Sequence, residues 1–406
     1  MATRTLKKNN VTGRKSQRKS KAVQKREVKK VKKSKAKSMD YTFLALIIIM
    51  VCFGLVMVLS ASAPASNVKV GNSYRFFSKQ LFAAVFGTVV MLLVSRIDYR
   101  IYKKYVKLIV AACIILLILV LIPGIGSYYN GARRWIELKV IQIQPSELAK
   151  IAVIIYFAYM IEKTNADFSY KKFSAIIKLV KRYVIILAVI ALLLVFEPHY
   201  SAIMIIAAIA AVILIAGGLP GIFIAIGGGI VSVGLAAIFK LDSNRNARFM
   251  SFLDPFSDIK GTGWQVVQAL YAIGSGGLFG LGLGQSRQKY SFLPEPYNDF
   301  IFAVICEELG LVGAIVVIML FVGLMIRGIK IAMEAPDTFG TLLVIGIVAQ
   351  IIIQATFNIA VATASVPNTG ISLPFFSFGG TAIVMLLGEM GIILNVSRYS
   401  RKKENI

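Results

Sequence analysis

Ten apolar stretches dominate this chain of 406 residues, at 41–62, 77–96, 106–123, 146–161, 179–197, 200–217, 219–240, 299–327, 339–364 and 378–397. A helix rises about 1.5 Å per residue, so about 20 apolar residues cross the hydrocarbon core of a bilayer. Lipid offers no water to backbone N–H and C=O groups, and a helix satisfies them within itself. The pattern predicts an all-α polytopic membrane protein with ten transmembrane helices. Composition agrees: 57% of residues are hydrophobic and 16% charged, against about 25% charged in soluble proteins. So few polar groups could not cover soluble domains, which excludes a soluble enzyme, a disordered chain and a fibrous protein.

Charge sets the expected orientation. Residues 1–39 hold 16 Lys and Arg against one acid, Glu27, so they carry +15 of the formal net charge of +27. Residues 1–40 therefore read as a basic, disordered cytoplasmic tail that touches anionic lipid. The tail has no folded reader or aromatics for nucleic acid, and no nucleic-acid partner is expected. With ten spans the inner loops and helix ends carry Arg100, Lys103, Lys104, Lys171, Lys172, Lys178, Lys181, Arg182, Arg327, Lys330 and Arg398. Residues 41–397 are then the membrane domain and 398–406 a second cytoplasmic tail. A large extracellular loop, 241–298, lies between spans 7 and 8. Within it Trp264, Val267 and Tyr271 share a helical face, which predicts an amphipathic helix resting on the membrane.

Several chemistries are excluded. His199 is the only histidine, so no His-pair metal site exists, and no Gly-Lys-Ser or Gly-Lys-Thr marks a P-loop. Cys52, Cys113 and Cys306 lie in apolar runs and form no paired spacing. No nucleotide or organic cofactor is expected.

Ionisable groups in or beside lipid are costly, so each is a candidate site. Gly131-Ala-Arg-Arg-Trp-Ile136 precedes Gln144-Pro-Ser-Glu-Leu-Ala-Lys150. Pro145 suits a first helical turn and Glu147 its positive end. Glu147 and Lys150 share a face; with Arg133 or Arg134 they form either a phosphate-holding helix mouth or a self-neutralising anchor. Glu197-Pro-His199 breaks the chain between two spans, lining a cavity or capping a turn. Arg245, Arg248 and Asp254 bind an anion or pin the long loop. Asp299 is the last polar residue before lipid depth, placed as a base or as a helix N-cap. Glu307 and Glu308 lie about 12 Å deeper, as buried structural groups or proton relays.

These residues resemble the SEDS family of integral membrane peptidoglycan polymerases over 41–397. The resemblance rests on Gly131–Ile136, Gln144–Lys150, Gly261-Thr-Gly-Trp-Gln265, Gly280-Leu-Gly-Leu-Gly-Gln-Ser286, Pro294–Gly310 and Gly370-Ile-Ser-Leu-Pro-Phe-Phe-Ser-Phe-Gly-Gly380. The Ser377-Phe-Gly-Gly ending and the Pro294-Glu-Pro-Tyr-Asn-Asp299 run look more like the division (FtsW) or sporulation type than the elongation type, RodA. Where many members read Gln-Pro-Asp, this chain reads Glu197-Pro-His, so no family role is carried there.

The resemblance implies both termini in the cytoplasm, and joining of lipid II on the outer face of the bacterial membrane at the division septum. It implies Asp299 as the essential acid, and Glu147 and Lys150 as a functionally sensitive pair. Lys150, Arg134, Arg248, Lys289 and Ser377 are expected at the substrate, with a divalent cation (Mg or Mn) admitted beside the diphosphate. A class B penicillin-binding transpeptidase and other divisome proteins are the implied partners. The competing expectations are a lipid II flippase, favoured by Glu307, Glu308 and Glu389 within spans, and a non-catalytic division scaffold.

Overall fold

The computed structural model describes residues 38–400 except 130, 139–140, 168–172, 223–224, 226, 230–233, 235–251, 260, 262 and 291. Arg245, Arg248, most of the 219–240 stretch, residues 1–37 and residues 401–406 thus lie outside the described residues. Ten named helices are α1 (Tyr41–Val70), α2 (Arg75–Val94), α3 (Ile101–Leu121), α4 (Pro145–Asp167), α5 (Phe173–Phe196), α6 (Tyr200–Ala216), α7 (Trp264–Gly276), α8 (Ile301–Glu334), α9 (Thr338–Ala362) and α10 (Gly380–Arg398). Among the described residues, α1, α2, α3, α8, α9 and α10 are long and apolar enough to cross a membrane. The shorter apolar α6 occupies another expected span, and α4 and α5 overlap two more.

Apolar surface decides which helices sit inside. The most apolar windows of α9 and α10 are 61% and 67% buried, those of α2 and α3 only 28% and 22%. α2 instead exposes Phe82, Val85, Phe86, Val89 and Leu93, the surface that lipid tails accept. α10 packs on α2, and α9 on α4, α6 and α8.

The helix boundaries follow local chemistry. α1 runs two turns past the predicted 62, through Pro64, and stops at Gly71. There the backbone turns left-handed (φ 71°) and its N–H closes on Asn67 O, a glycine-favoured stop. At the other end Asp40 caps α1 by accepting from Phe43 N at 2.9 Å. It also takes Arg327 Nε at 2.8 Å and Nη2 at 2.7 Å, and its own N–H donates to Ser397 Oγ. The start of α1 and the end of α10 therefore lie at one end of the bundle. Tyr99, Arg100 and Lys103 join that end to Asp337, and Lys103 also pairs with Glu162. Burial, with the nearby Asp337 charge, pushes the Tyr99 hydroxyl far above its ordinary range, so it stays a donor to that carboxylate.

The all-helical expectation needs one addition. Residues 126–143 form a three-stranded antiparallel sheet: β1 (Gly126–Tyr129), β2 (Ala132–Leu138) and β3 (Ile141–Ile143), in that order. The β1–β2 turn passes through Gly131 at φ 81°, a conformation glycine adopts freely. Ser127 pairs with Trp135 and Tyr128 with Arg133. The register shifts between Ser127 and Tyr128, a β-bulge in the pairing with the strand that carries Arg134. The Thr381 hydroxyl bonds Gln142 O and pins the sheet to α10.

α7 occupies the amphipathic segment, but it rests on protein: Val266, Val267, Ala269 and Ala272 are buried in contact with α8, while Tyr271 is exposed. Trp264 Nε1 donates to Phe292 O at 2.8 Å. Beyond α7 the chain splices into α8. Gly310 leaves helical geometry (φ 67°, ψ −164°), and the freed groups are met by the 277–282 loop. Leu281 N bonds Glu307 O, Gly282 N bonds Glu308 O, Leu311 N bonds Gly277 O and Val312 N bonds Leu278 O, at 2.9–3.2 Å. A Cβ on Gly310 would come within 2.4 Å of Gly280 N, and one on Gly280 within 2.2 Å of Glu308 O. The glycine-rich run is there for this backbone approach.

Candidate functional site

The chemistry gathers at the end of the bundle away from Asp40. Glu147 and Glu162 lie towards opposite ends of α4, and Glu162 is held by Lys103 at the Asp40 end. Asp299 and Arg327 are likewise separated along α8, with Arg327 bound to Asp40.

Asp299 is partly exposed in a turn just ahead of α8. It is not the N-cap: Phe300 takes that position, with no side-chain cap bond. The turn is tied to the end of α9 and to the loop between α9 and α10. Phe378 N bonds Tyr297 O at 2.8 Å, Ser377 Oγ bonds Asn298 O at 2.7 Å and Asn358 Nδ2 bonds Asp299 O at 2.7 Å. The Asp299 carboxylate lies against Gly370, where an added Cβ would be 3.4 Å from Oδ2.

The same loop continues to the cationic groups. Ser201 Oγ bonds Thr369 O, and the turn before Ser201 accepts Arg134 Nη2 at Pro198 O, 2.5 Å. Lys150 pairs with Glu147 at 2.7 Å. Lys150 is buried at 2% exposure, while Glu147 is partly exposed and lines a small cleft with Gln350, Gln354, Ser372, Ser377 and Gly379. Below it, Gln350 Nε2 donates to the buried Glu389 at 2.8 Å, and Glu389 feels the charges of Lys150 and Glu147. Glu147, Lys150, Arg134 and Asp299 are thus joined through one continuous set of contacts.

Two residues expected at the substrate, Lys289 and Ser377, make hydrogen bonds within the protein. Lys289, 4% exposed, donates to Glu308 Oε1 (2.7 Å), Ser60 Oγ (3.0 Å) and Gly284 O (2.7 Å). An ammonium has three donors, so none remains for a diphosphate. Ser377 donates to Asn298 O and accepts from Leu373 N; it braces the Asp299 turn. Glu307 and Glu308 are both fully buried: Glu307 accepts from Ser286 Oγ and Arg287 N, and Glu308 from Ser60 and Lys289. Asp254 caps its own turn by accepting from Phe256 N. Among the described residues no three His, Cys, Asp or Glu side chains converge to hold a metal ion.

Asn358 was not anticipated. An amide in an apolar run is a signal of the same kind as a buried carboxylate, although it carries no charge.

His199 is half-buried, with Nδ1 buried and without a hydrogen-bond partner. Burial first, then the Arg134 and Lys150 charges, lower its imidazole to about 3. The folded ring stays neutral, whereas an unfolded one takes a proton below about 6.5. Acidification from about 6.5 towards 3 therefore favours unfolding. Melting temperatures of wild type and His199→Gln should run parallel above about pH 7. Below about pH 6.5 the wild type should lose stability relative to the variant; curves that stay parallel throughout would show a solvated ring.

Comparison with known proteins places this architecture. A family model, FTSW_RODA_SPOVE, described as Cell cycle protein, matches residues 40–402. Stage V sporulation protein E of Bacillus subtilis (strain 168) is 38% identical over 373 residues, covering 91% of this chain and 99% of that protein. A Probable peptidoglycan glycosyltransferase FtsW of Trichlorobacter lovleyi is 40% identical over 363 residues, covering 88% and 93%. A solved chain from a peptidoglycan synthase complex has a TM-score of 0.73 at 25% identity, over 90% of this chain and 99% of that one. The Rod shape determining protein RodA of Thermus thermophilus shares the fold with a TM-score of 0.65 at 24% identity, over 90% and 98%. A multi-pass membrane protein with these motifs on this fold, the chain belongs to the SEDS family of FtsW, RodA and SpoVE cell cycle proteins.

Proposed function

We propose that this protein is a peptidoglycan glycosyltransferase that polymerises lipid II on the outer face of the cytoplasmic membrane. The observation that carries the reading is the contact path from Asp299 through the 369–378 loop to Arg134, Glu147 and Lys150: an acid and cations meet at one end of a membrane-embedded bundle.

The Asp299 carboxylate takes the proton of the acceptor GlcNAc 4-hydroxyl as that oxygen attacks the MurNAc anomeric carbon. The bond from that carbon to the diphosphate oxygen breaks, with inversion, and the electron pair leaves with undecaprenyl diphosphate. This leaving group needs charge stabilisation rather than a proton, so one carboxylate serves where glycoside hydrolysis uses two. Lys150, paired with the cleft residue Glu147, and Arg134, bonded to Pro198 O, supply positive charge. Mg or Mn would add positive charge beside the departing diphosphate. Arg248 belongs to the proposed substrate groups by its place in the outer loop.

The basic tails put both termini in the cytoplasm. Kinship with FtsW and SpoVE supports work at the septum, in division or sporulation, beside a class B penicillin-binding transpeptidase and other divisome proteins. The test is purified full-length protein in lipid vesicles with lipid II. Glycan strands on a gel are expected. Movement of lipid II across the bilayer without strands would make the protein a flippase, and neither activity, with and without a transpeptidase partner, would make it a scaffold.

A further inference from the structure

We propose that Asn358 is a positioning residue for Asp299, acting with Ser377 to fix the carboxylate against the acceptor hydroxyl; the inference rests on the reading of Asp299 as the base. Asn358 lies in the last part of α9 and is fully buried. Its amide nitrogen donates to two separate segments: Asp299 O, before α8, and Ile371 O, after α9, each at 2.7 Å. An amide nitrogen has two hydrogens, and both are used. Two carbonyl acceptors also fix which way the amide points, since the flipped group would set oxygen against oxygen. The carbonyl oxygen of Asn358 is left buried with no partner, so the residue is held for what it donates.

The two bonds hold both sides of one contact. Asp299 carries the carboxylate, and Gly370, next to Ile371, is the backbone on which it rests. Gly370 sits at φ 67°, which keeps that surface free of a side chain. Ser377 adds a bond to the neighbouring carbonyl, Asn298 O. The three consecutive carbonyls of Tyr297, Asn298 and Asp299 are then bound by Phe378 N, Ser377 Oγ and Asn358 Nδ2. A base misplaced by about 1 Å loses on the order of 100-fold in rate, so the hold acts on the chemical step.

The experiment compares Asn358→Leu, which keeps the volume and removes both donors, with wild type and Asp299→Asn. All are full-length proteins in lipid vesicles polymerising lipid II. Asn358→Leu should lower kcat by about 10- to 100-fold with KM little changed, and should move the acid-side limb of the rate–pH profile. Ser377→Ala should lower kcat in the same way, and Ser377→Thr, which keeps the hydroxyl, should restore it. That pair carries the test if Asn358→Leu does not fold. Unchanged kcat in Asn358→Leu and Ser377→Ala, with Asp299→Asn inactive, overturns the positioning role and leaves the base intact. A change confined to KM or to melting temperature also overturns it. Full activity of Asp299→Asn removes the base first, and the inference falls with it.

Discussion

Asp299→Asn should bind lipid II as the wild type does and join sugars about 10²- to 10⁴-fold more slowly. Asparagine keeps the size of the side chain and loses the basic oxygen. The turn should persist, because its tie to Asn358 runs through the main-chain carbonyl of Asp299. The effect is large because the diphosphate departs without help from an acid, which leaves proton removal as the contribution a single carboxylate makes. Initial rates of strand formation, read beside lipid II binding, give the answer. Retained rate refutes the assignment of the base; lost binding with unaltered chemistry moves Asp299 into substrate recognition.

Lys289→Met should cost about 3–5 kcal/mol of stability. The pair of Lys289 and Glu308 is buried on both sides, 3% and 0% exposed, and removing the cation leaves a carboxylate in an apolar interior. Ser60 from α1 would still donate to Glu308, but a hydroxyl does not neutralise a charge. Adding Glu308→Gln to Lys289→Met removes the orphaned charge and should recover much of the loss, since neutral replacements for buried ion pairs are often tolerated. Thermal unfolding of purified protein, with activity per folded molecule, separates the outcomes. A Lys289→Met protein as stable as wild type but unable to bind lipid II would return this lysine to the substrate.

The apolar runs made the helices legible, because lipid enforces internal hydrogen bonding. Ends were less visible. The polar residues of 63–70 read as loop, yet Asn67 and Gly71 serve to close the last turn of α1. The sheet was hidden although Ala132 and Ile136 on β2 are both buried; two adjacent arginines masked the alternation. Glu147 with Lys150 was readable from a spacing of three on one helix. Lys289 read as a substrate cation from its nearness to Asp299 in sequence, whereas only folding brings Glu308 and Ser60 to it. Asn358 lay 59 residues from the acid it holds, a separation no local pattern reports.

The splice at Gly310 makes the connection from Trp264 to Asp299 a measured length. Four amide-to-carbonyl bonds fix residues 277–282 against the interrupted helix. One residue more or fewer within that stretch would leave those amide and carbonyl groups without partners, or drag the turn before α8 off its seat. Substitutions on the outward side chains there are cheap, but the residue count between the last turn of α7 and the reacting acid is not free to drift.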